Sequence, residues 1–268
     1  MAALRYLRLT SALARYALAR EMAFRSNFLV KVSVEAIWLG ILLAFFKTVF
    51  GKTATIAEWN EPQYMFFVGC FFALNGVIET FFLENCNEFA ELVRTGDLDF
   101  LLVKPIDEQY LITCRRVDWA TGPNVVMGAV VMVLSLIDMN WAFDPLKIAE
   151  FVVLFGCGVA IAYSFMVLLT SVSVWMVRNQ SLMEMWWLFS SLARYPKEIF
   201  SATWAEPIGR FFTYILPILL VVNVPARVMV KSLSPELVVF TLAATVASVA
   251  ASRRFFHWAL RSYRSASS

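Results

Sequence analysis

The chain has 268 residues, 60% of them hydrophobic and only 16% charged, with 24 Phe, 9 Trp and a mean hydropathy of +0.68. A water-soluble domain of this length keeps far more charge for its surface, so the composition excludes one and points to a bilayer as solvent. The net charge of +3 is small, no nucleic-acid partner is expected, and long continuous apolar runs replace the short alternating segments of a β-barrel.

The expected fold is all-α, a polytopic bundle, because backbone polar groups in lipid must be satisfied within the helix. Residues 1–26 read as an amphipathic helix. Leu4, Leu7, Ala14 and Leu18 share one face, while Arg5, Arg8, Arg15, Arg20 and Arg25 are spread along the segment. A cleavable signal would cluster its charge before one apolar stretch. A helix lying flat at the headgroups fits better. A hydrocarbon core of about 30 Å needs roughly 20 apolar residues per crossing. The first span is expected at 28–50 and the second at 62–84, followed by a charged segment at 85–118. The third is expected at 119–137 and the fourth at 147–177, where Gly156 and Gly158 invite close packing. The link Arg178-Asn179-Gln180 leads to a fifth at 181–200. Between 201 and 234 the sequence FFTYILPILLVVNVPARVM carries Pro217 and Pro225, with Pro207 and Pro235 flanking. Proline breaks the helical ladder, so a re-entrant hairpin is expected there before a last span at 235–252.

Lys and Arg concentrate near the N-terminus, in the charged segment and in the tail at Arg253, Arg254, Arg261 and Arg264. Both termini are therefore expected in the cytoplasm, which requires an even number of spans, counted as six. Arg194, Lys197, Arg210, Arg227 and Lys231 then fall on the outer side, against that trend.

Charge inside apolar runs marks function or pairing. Lys31 and Glu35 are one turn apart and can pair. Glu79 has no cation within a turn of its own helix, and Glu184 lies near the start of the fifth span. Gly51-Lys52-Thr53 ends like a phosphate-binding loop, but Phe46 stands where its first glycine belongs. His257 is the single histidine and builds no metal site alone. Cys70, Cys86, Cys114 and Cys157 show no metal or disulfide spacing. Nothing in the sequence argues for catalysis.

The charged segment contains GDLDFLLVKPID at 96–107. A helix is expected over 86–95, with Phe89, Leu92 and Val93 on one side. Gly96 should stop it in the left-handed conformation of a C-cap. A second short element should start at Asp97, bury the face of Leu98, Phe100, Leu101, Leu102 and Val103, and end at Lys104-Pro105.

The run RTGDLDFLLVKPIDEQY (94–110) resembles the cytosolic signature of the ABC type-2 exporter permeases, in the form G-x-L-D-x-x-L-x-K-P. The stretch RYPKEIFSATWAEPIGRFFTYILPILLVVNVPAR (194–227) is similar to the same six-span subfamily, and EMAFRSNFLVKVSVEAIW (21–38) is a weaker match. The resemblance implies the permease subunit of an ATP-driven exporter in the inner (plasma) membrane. It implies a dimer, with an identical or homologous permease, on two cytosolic ATPase subunits that carry the ATP and Mg. It assigns coupling to the ATPase to Glu88, Glu91, Arg94, Gly96, Asp97, Asp99, Lys104 and Pro105. An outer re-entrant gate then includes Pro217 and Pro225, and Glu35, Glu79 and Glu184 line or flank the substrate path. The competing readings are an ion-coupled transporter using Glu79 and Glu184, and an assembly subunit without transport of its own.

Overall fold

The computed structural model describes residues 2–176, 180–201 and 205–263. The Leu4 side chain, the link residues 178–179 and Arg264 lie outside the described residues. Every regular element among the described residues is helical. Helix α1 spans Ala2–Ala23, and α2 follows at Arg25–Phe50. Helix α3 (Glu61–Ile78) opens with a reciprocal cap: Gln63 N donates to Asn60 Oδ1 at 3.1 Å, and Asn60 N donates to Gln63 Oε1 at 3.2 Å. Two orphan amides are satisfied in this way, and Pro62 fits the first turn.

No break follows at residue 84. A π-helical turn at Glu79–Leu83 joins α3 to α4 (Glu84–Thr95), making one continuous 35-residue helix. The abrupt rise in charge after the second expected span is thus a change of solvent along one rod, about 52 Å long at 1.5 Å per residue. Short helices α5 (Leu98–Leu102) and α6 (Glu108–Cys114) lead back to α7 (Gly122–Asp138). Helix α8 covers Pro145–Met176, α9 Gln180–Ala193, α10 Glu206–Arg210, α11 Ile218–Val230 and α12 Pro235–Ser262.

Four described helices are long and apolar enough to cross a membrane by themselves: α2, the α3–α4 rod, α8 and α12. Helices α7 and α9, expected as the third and fifth spans, have 17 and 14 residues, about 25 and 21 Å. The expected fifth span runs past the helix end at Ala193 into a 3₁₀ turn at Lys197–Ser201. The proline-rich region is two helical arms, Glu206–Ile215 and Ile218–Val230, meeting at 87° around Leu216-Pro217.

Small residues set the packing. A Cβ on Gly69 of α3 would lie 2.8 Å from the Gly128 carbonyl oxygen of α7, and one on Gly76 2.8 Å from Val125 N. Side-chain-free surfaces let these two helices touch through their backbones. Gly158 does the same for α8 and α11, since a Cβ there would overlap the Val221 carbonyl oxygen. Pro225, inside α11, removes the amide that would bond that carbonyl. Gly156, expected to serve alongside Gly158, faces open space. The central core gathers Phe66, Phe67, Leu74, Ile161, Leu220 and Val224.

Of the cations that broke the charge trend, Arg194, Arg210, Arg227 and Lys231 are engaged. Arg227 Nη1 donates to Glu198 Oε1 at 2.8 Å, and Trp59 Nε1 donates to Glu198 Oε2 at 3.1 Å. Lys231 Nζ sits 4.5 Å from the Trp59 ring centroid and donates to the Glu58 carbonyl. Arg210 pairs with Glu206, and Arg194 lies over Trp38 and Phe71.

Candidate functional site

At the far end of the rod, Gly96 takes φ 81° and ψ 0°, the left-handed cap expected from the sequence. An L-residue pays about 1–2 kcal/mol in this conformation, and glycine does not. Thr95 Oγ1 donates to Asp97 Oδ2 at 2.8 Å just beyond the corner. The chain then doubles back into α5, and Asp107 caps α6 by accepting from Tyr110 N at 3.0 Å.

This segment has its own hydrophobic core. Phe89, Val93, Leu98, Leu101 and Ile112 are buried together with Val167 of α8 and Phe256 of α12. The corner is therefore mounted on two long helices. The apolar face expected over 98–103 divides. Leu98 and Leu101 point inward, while Phe100 is 71% and Val103 80% exposed. In a single helical turn, residues three apart share a face, so the five apolar residues cannot all be buried.

Around Phe100 and Val103 lie exposed Arg94, Asp97, Lys104 and Pro105 and half-buried Asp99. Glu91 is exposed and accepts from Arg94 Nε at 2.9 Å. Glu88 belongs elsewhere. It pairs with Arg115, and with Arg116 at 2.6 Å, while Glu84 meets Arg116 at 3.3 Å. Asn85 completes the seam by donating to the Arg116 carbonyl and accepting its amide. These groups fasten α4 to the returning chain rather than face outward.

Helix α1 is docked on the same segment. Arg5 Nη2 donates to the Pro105 carbonyl, Tyr6 Oη accepts from Asp107 N, Thr10 Oγ1 and Tyr110 Oη are 2.7 Å apart, and Trp119 Nε1 donates to the Ala14 carbonyl. Leu7 and Leu18 stay exposed on the flank beside the docked side chains, as an interfacial helix requires. From the other side, Arg253 of α12 reaches Asp107 Oδ2 at 2.7 Å. The N-terminal helix and the last turns of α12 thus meet at one end of the bundle. Partial burial pushes the Asp107 carboxyl up, but Arg253 and the Tyr110 amide outweigh it and hold the group below the usual carboxylate range. Glu108 and His257 also approach, placing donor atoms with Asp107 within 4.8 Å of one another. The Arg253 guanidinium already supplies positive charge there.

The intramembrane acids form a second feature. Asn124 Nδ2 donates to Glu35 Oε2 at 3.2 Å and to Glu79 Oε2 at 3.3 Å. The expected Lys31–Glu35 pair is replaced by Lys31–Asp118 at 3.5 Å. A cleft of about 460 Å³ is lined by Lys31, Glu35, Glu79, Glu84, Asp118 and Trp187. Glu184 is exposed on α9 and does not join it. Glu79 opens the π turn, a distortion that often accompanies function. The sequence did hint at Asn124: it is a lone carboxamide at the head of an apolar run. Its register against Glu35 and Glu79 was not readable. Pro217 stands at the N-cap of α11 and Pro225 is buried within it.

The family profile described as ABC-2 family transporter protein matches residues 36–267. This chain belongs to the ABC-2 transporter family. The match takes in the four helices long and apolar enough to cross a membrane, except the first part of α2, together with the Gly96 corner, and leaves α1 outside. As an ABC-2 permease, the protein is a membrane transport component and not itself an enzyme. No curated protein and no solved structure is detectably similar to it. The permease thus has a rigidly mounted corner with two exposed apolar side chains, and an acid-lined cleft beside α2 and α3.

Proposed function

We propose that this permease forms half of the membrane part of an exporter driven by separate cytosolic ATPase subunits, which grip it at the Gly96 corner. The observation that carries this reading is Phe100 and Val103, exposed on an element that is otherwise packed and ion-paired. An apolar centre with a charged rim is the usual anatomy of a protein interface. The rim consists of Glu91, Arg94, Asp97, Asp99, Lys104 and Pro105. Glu88 acts in the mount and not in the contact. ATP and Mg belong to the partner. The end of the bundle that carries α1 and the C-terminal turns of α12 faces the cytoplasm.

Only 6% of the apolar window of α2 is buried, and Leu29, Ile37, Trp38 and Phe45 are exposed. A second permease, identical or homologous, covers part of this face. Closure of the ATPase pair pushes the corner, and the push tilts α3–α4 and the helices packed on it. The cargo is amphipathic or hydrophobic and enters from the cytoplasmic side. Coupling of this kind requires different contacts in the two states. Pro217, at the bend of the two helical arms, and Pro225 belong to the outer gate.

The test is purification of the intact chain in mild detergent, with identification of what accompanies it. A stoichiometric soluble protein carrying GxxxxGK[ST] is expected, and D99A/K104A should lose it while still inserting in the membrane. A chain that purifies alone overturns the reading, as does normal export by the double variant. The Glu35–Asn124–Glu79 group favours one alternative, an ion-coupled carrier. Transport that survives ATP depletion but collapses with the proton gradient would select it.

A further inference from the structure

We propose that the last three turns of α12 hold the headgroup of an anionic phospholipid. Arg253, Arg254, His257, Trp258 and Arg261 follow one another at helical spacing and line a shallow trench of about 620 Å³. The same side of the helix continues upward through Ala250 to Val246, which is 71% exposed, and Val239, which is 65% exposed. One helix face therefore changes from a lipid-facing apolar stripe to a row of guanidinium groups. That profile matches an acyl chain along the apolar stripe with its phosphate at the arginines, and a free anion would use only half of it.

The trench has a fixed wall. Trp258 packs at a tilt against Trp175 of α8 with ring centroids 4.9 Å apart, and against Phe255 at 5.5 Å. An indole at this depth suits the boundary between hydrocarbon and headgroup. Part of its charge is unspent. Arg253 answers Asp107, and Glu108 lies beside His257. Among the described residues, Arg254 and Arg261 form no ion pair and are exposed. Guanidinium groups bind phosphate through paired hydrogen bonds. The lipid would sit next to the Arg253–Asp107 contact that ties α12 to the 84–118 segment. Only the choice of leaflet rests on the orientation proposed above.

The experiment is native mass spectrometry of the purified chain, delipidated and then offered equal amounts of phosphatidylglycerol and phosphatidylcholine. The wild-type chain should retain phosphatidylglycerol preferentially. R254Q/R261Q should lose that preference by roughly tenfold or more, since each basic group near a membrane surface contributes about fivefold. R254K/R261K should keep part of it, and R8Q/R15Q, which removes as much exposed charge from α1, should lose clearly less of it than R254Q/R261Q. Equal retention of both lipids by the wild-type chain overturns the proposal. So does an unchanged preference in R254Q/R261Q, or displacement of the lipid by inorganic phosphate alone. Should R254Q/R261Q aggregate, R254Q and R261Q are read singly. The assay needs no ATPase, so it fails or succeeds independently of the exporter reading.

Discussion

Replacing Phe100 with alanine separates docking from folding. An aromatic side chain covers about 150–250 Å² when fully buried. Phe100 is 71% exposed, so roughly 100–180 Å² is left for a partner to cover, worth about 3–4 kcal/mol at about 25 cal/mol per Å². Truncation should therefore weaken ATPase binding by about a hundredfold, taking about 3 kcal/mol as lost. The fold should barely notice, because an exposed substitution away from caps and pairs usually moves stability by about 0.5 kcal/mol or less. Leu98 is the contrast: it is fully buried two residues earlier, and L98A should cost about 2–5 kcal/mol of stability. Binding of the ATPase to permease in nanodiscs and the melting temperature of the permease alone are the two readouts. F100A with wild-type affinity would refute the assignment of this corner as the contact. F100A that melts like L98A would refute the division of the apolar face.

Three further outcomes are expected. G96A should lower the melting temperature, because alanine must adopt φ 81° at about 1–2 kcal/mol; an unchanged melt would mean that the corner relaxes freely. G158V should destabilise by about 1–3 kcal/mol through overlap with the Val221 carbonyl, with G156V as its harmless match in open space, and equal effects of the two would contradict the α8–α11 contact. The third concerns pH: Asp107 is held below its unfolded value, so its contribution to stability is present above that value and is lost as the pH falls through the folded one. Melting of the wild-type chain should therefore drop below about pH 4, and D107N should flatten that drop; parallel curves would show that the Arg253 contact contributes nothing.

The sequence makes the bundle legible because apolar runs of about 20 residues have few alternatives. It makes the Gly96 corner legible because glycine is the residue that cheaply takes its backbone shape. The unbroken rod from Glu61 to Thr95 is hidden, since charge enters at Glu84 while helix propensity does not change. The inward Leu98 and outward Phe100 are chemically alike, and only the position of α8 and α12 tells them apart. Lys31 chose Asp118, 87 residues away, over Glu35 one turn away. Glu88 resembled its exposed neighbour Glu91 until Arg115 and Arg116 were placed beside it. Long-range partners of this kind depend on the packing of helices, and no local pattern records them. For the same reason the docking of α1 through Arg5, Tyr6 and Thr10 left no sequence signal.

The π turn at Glu79–Leu83 works as a setting of azimuth. A π turn holds one residue more than the α-helical turn it replaces, and each residue of an α-helix advances the direction of its side chains by about 100°. Wound as plain α-helix with no residue lost, the same sequence would swing everything beyond this turn by about that angle. Phe89 and Val93 would leave their core, and the corner at Gly96 would face a different quadrant. The aim of the tip is thus fixed some 15 residues before it is reached, at the one turn that also carries Glu79.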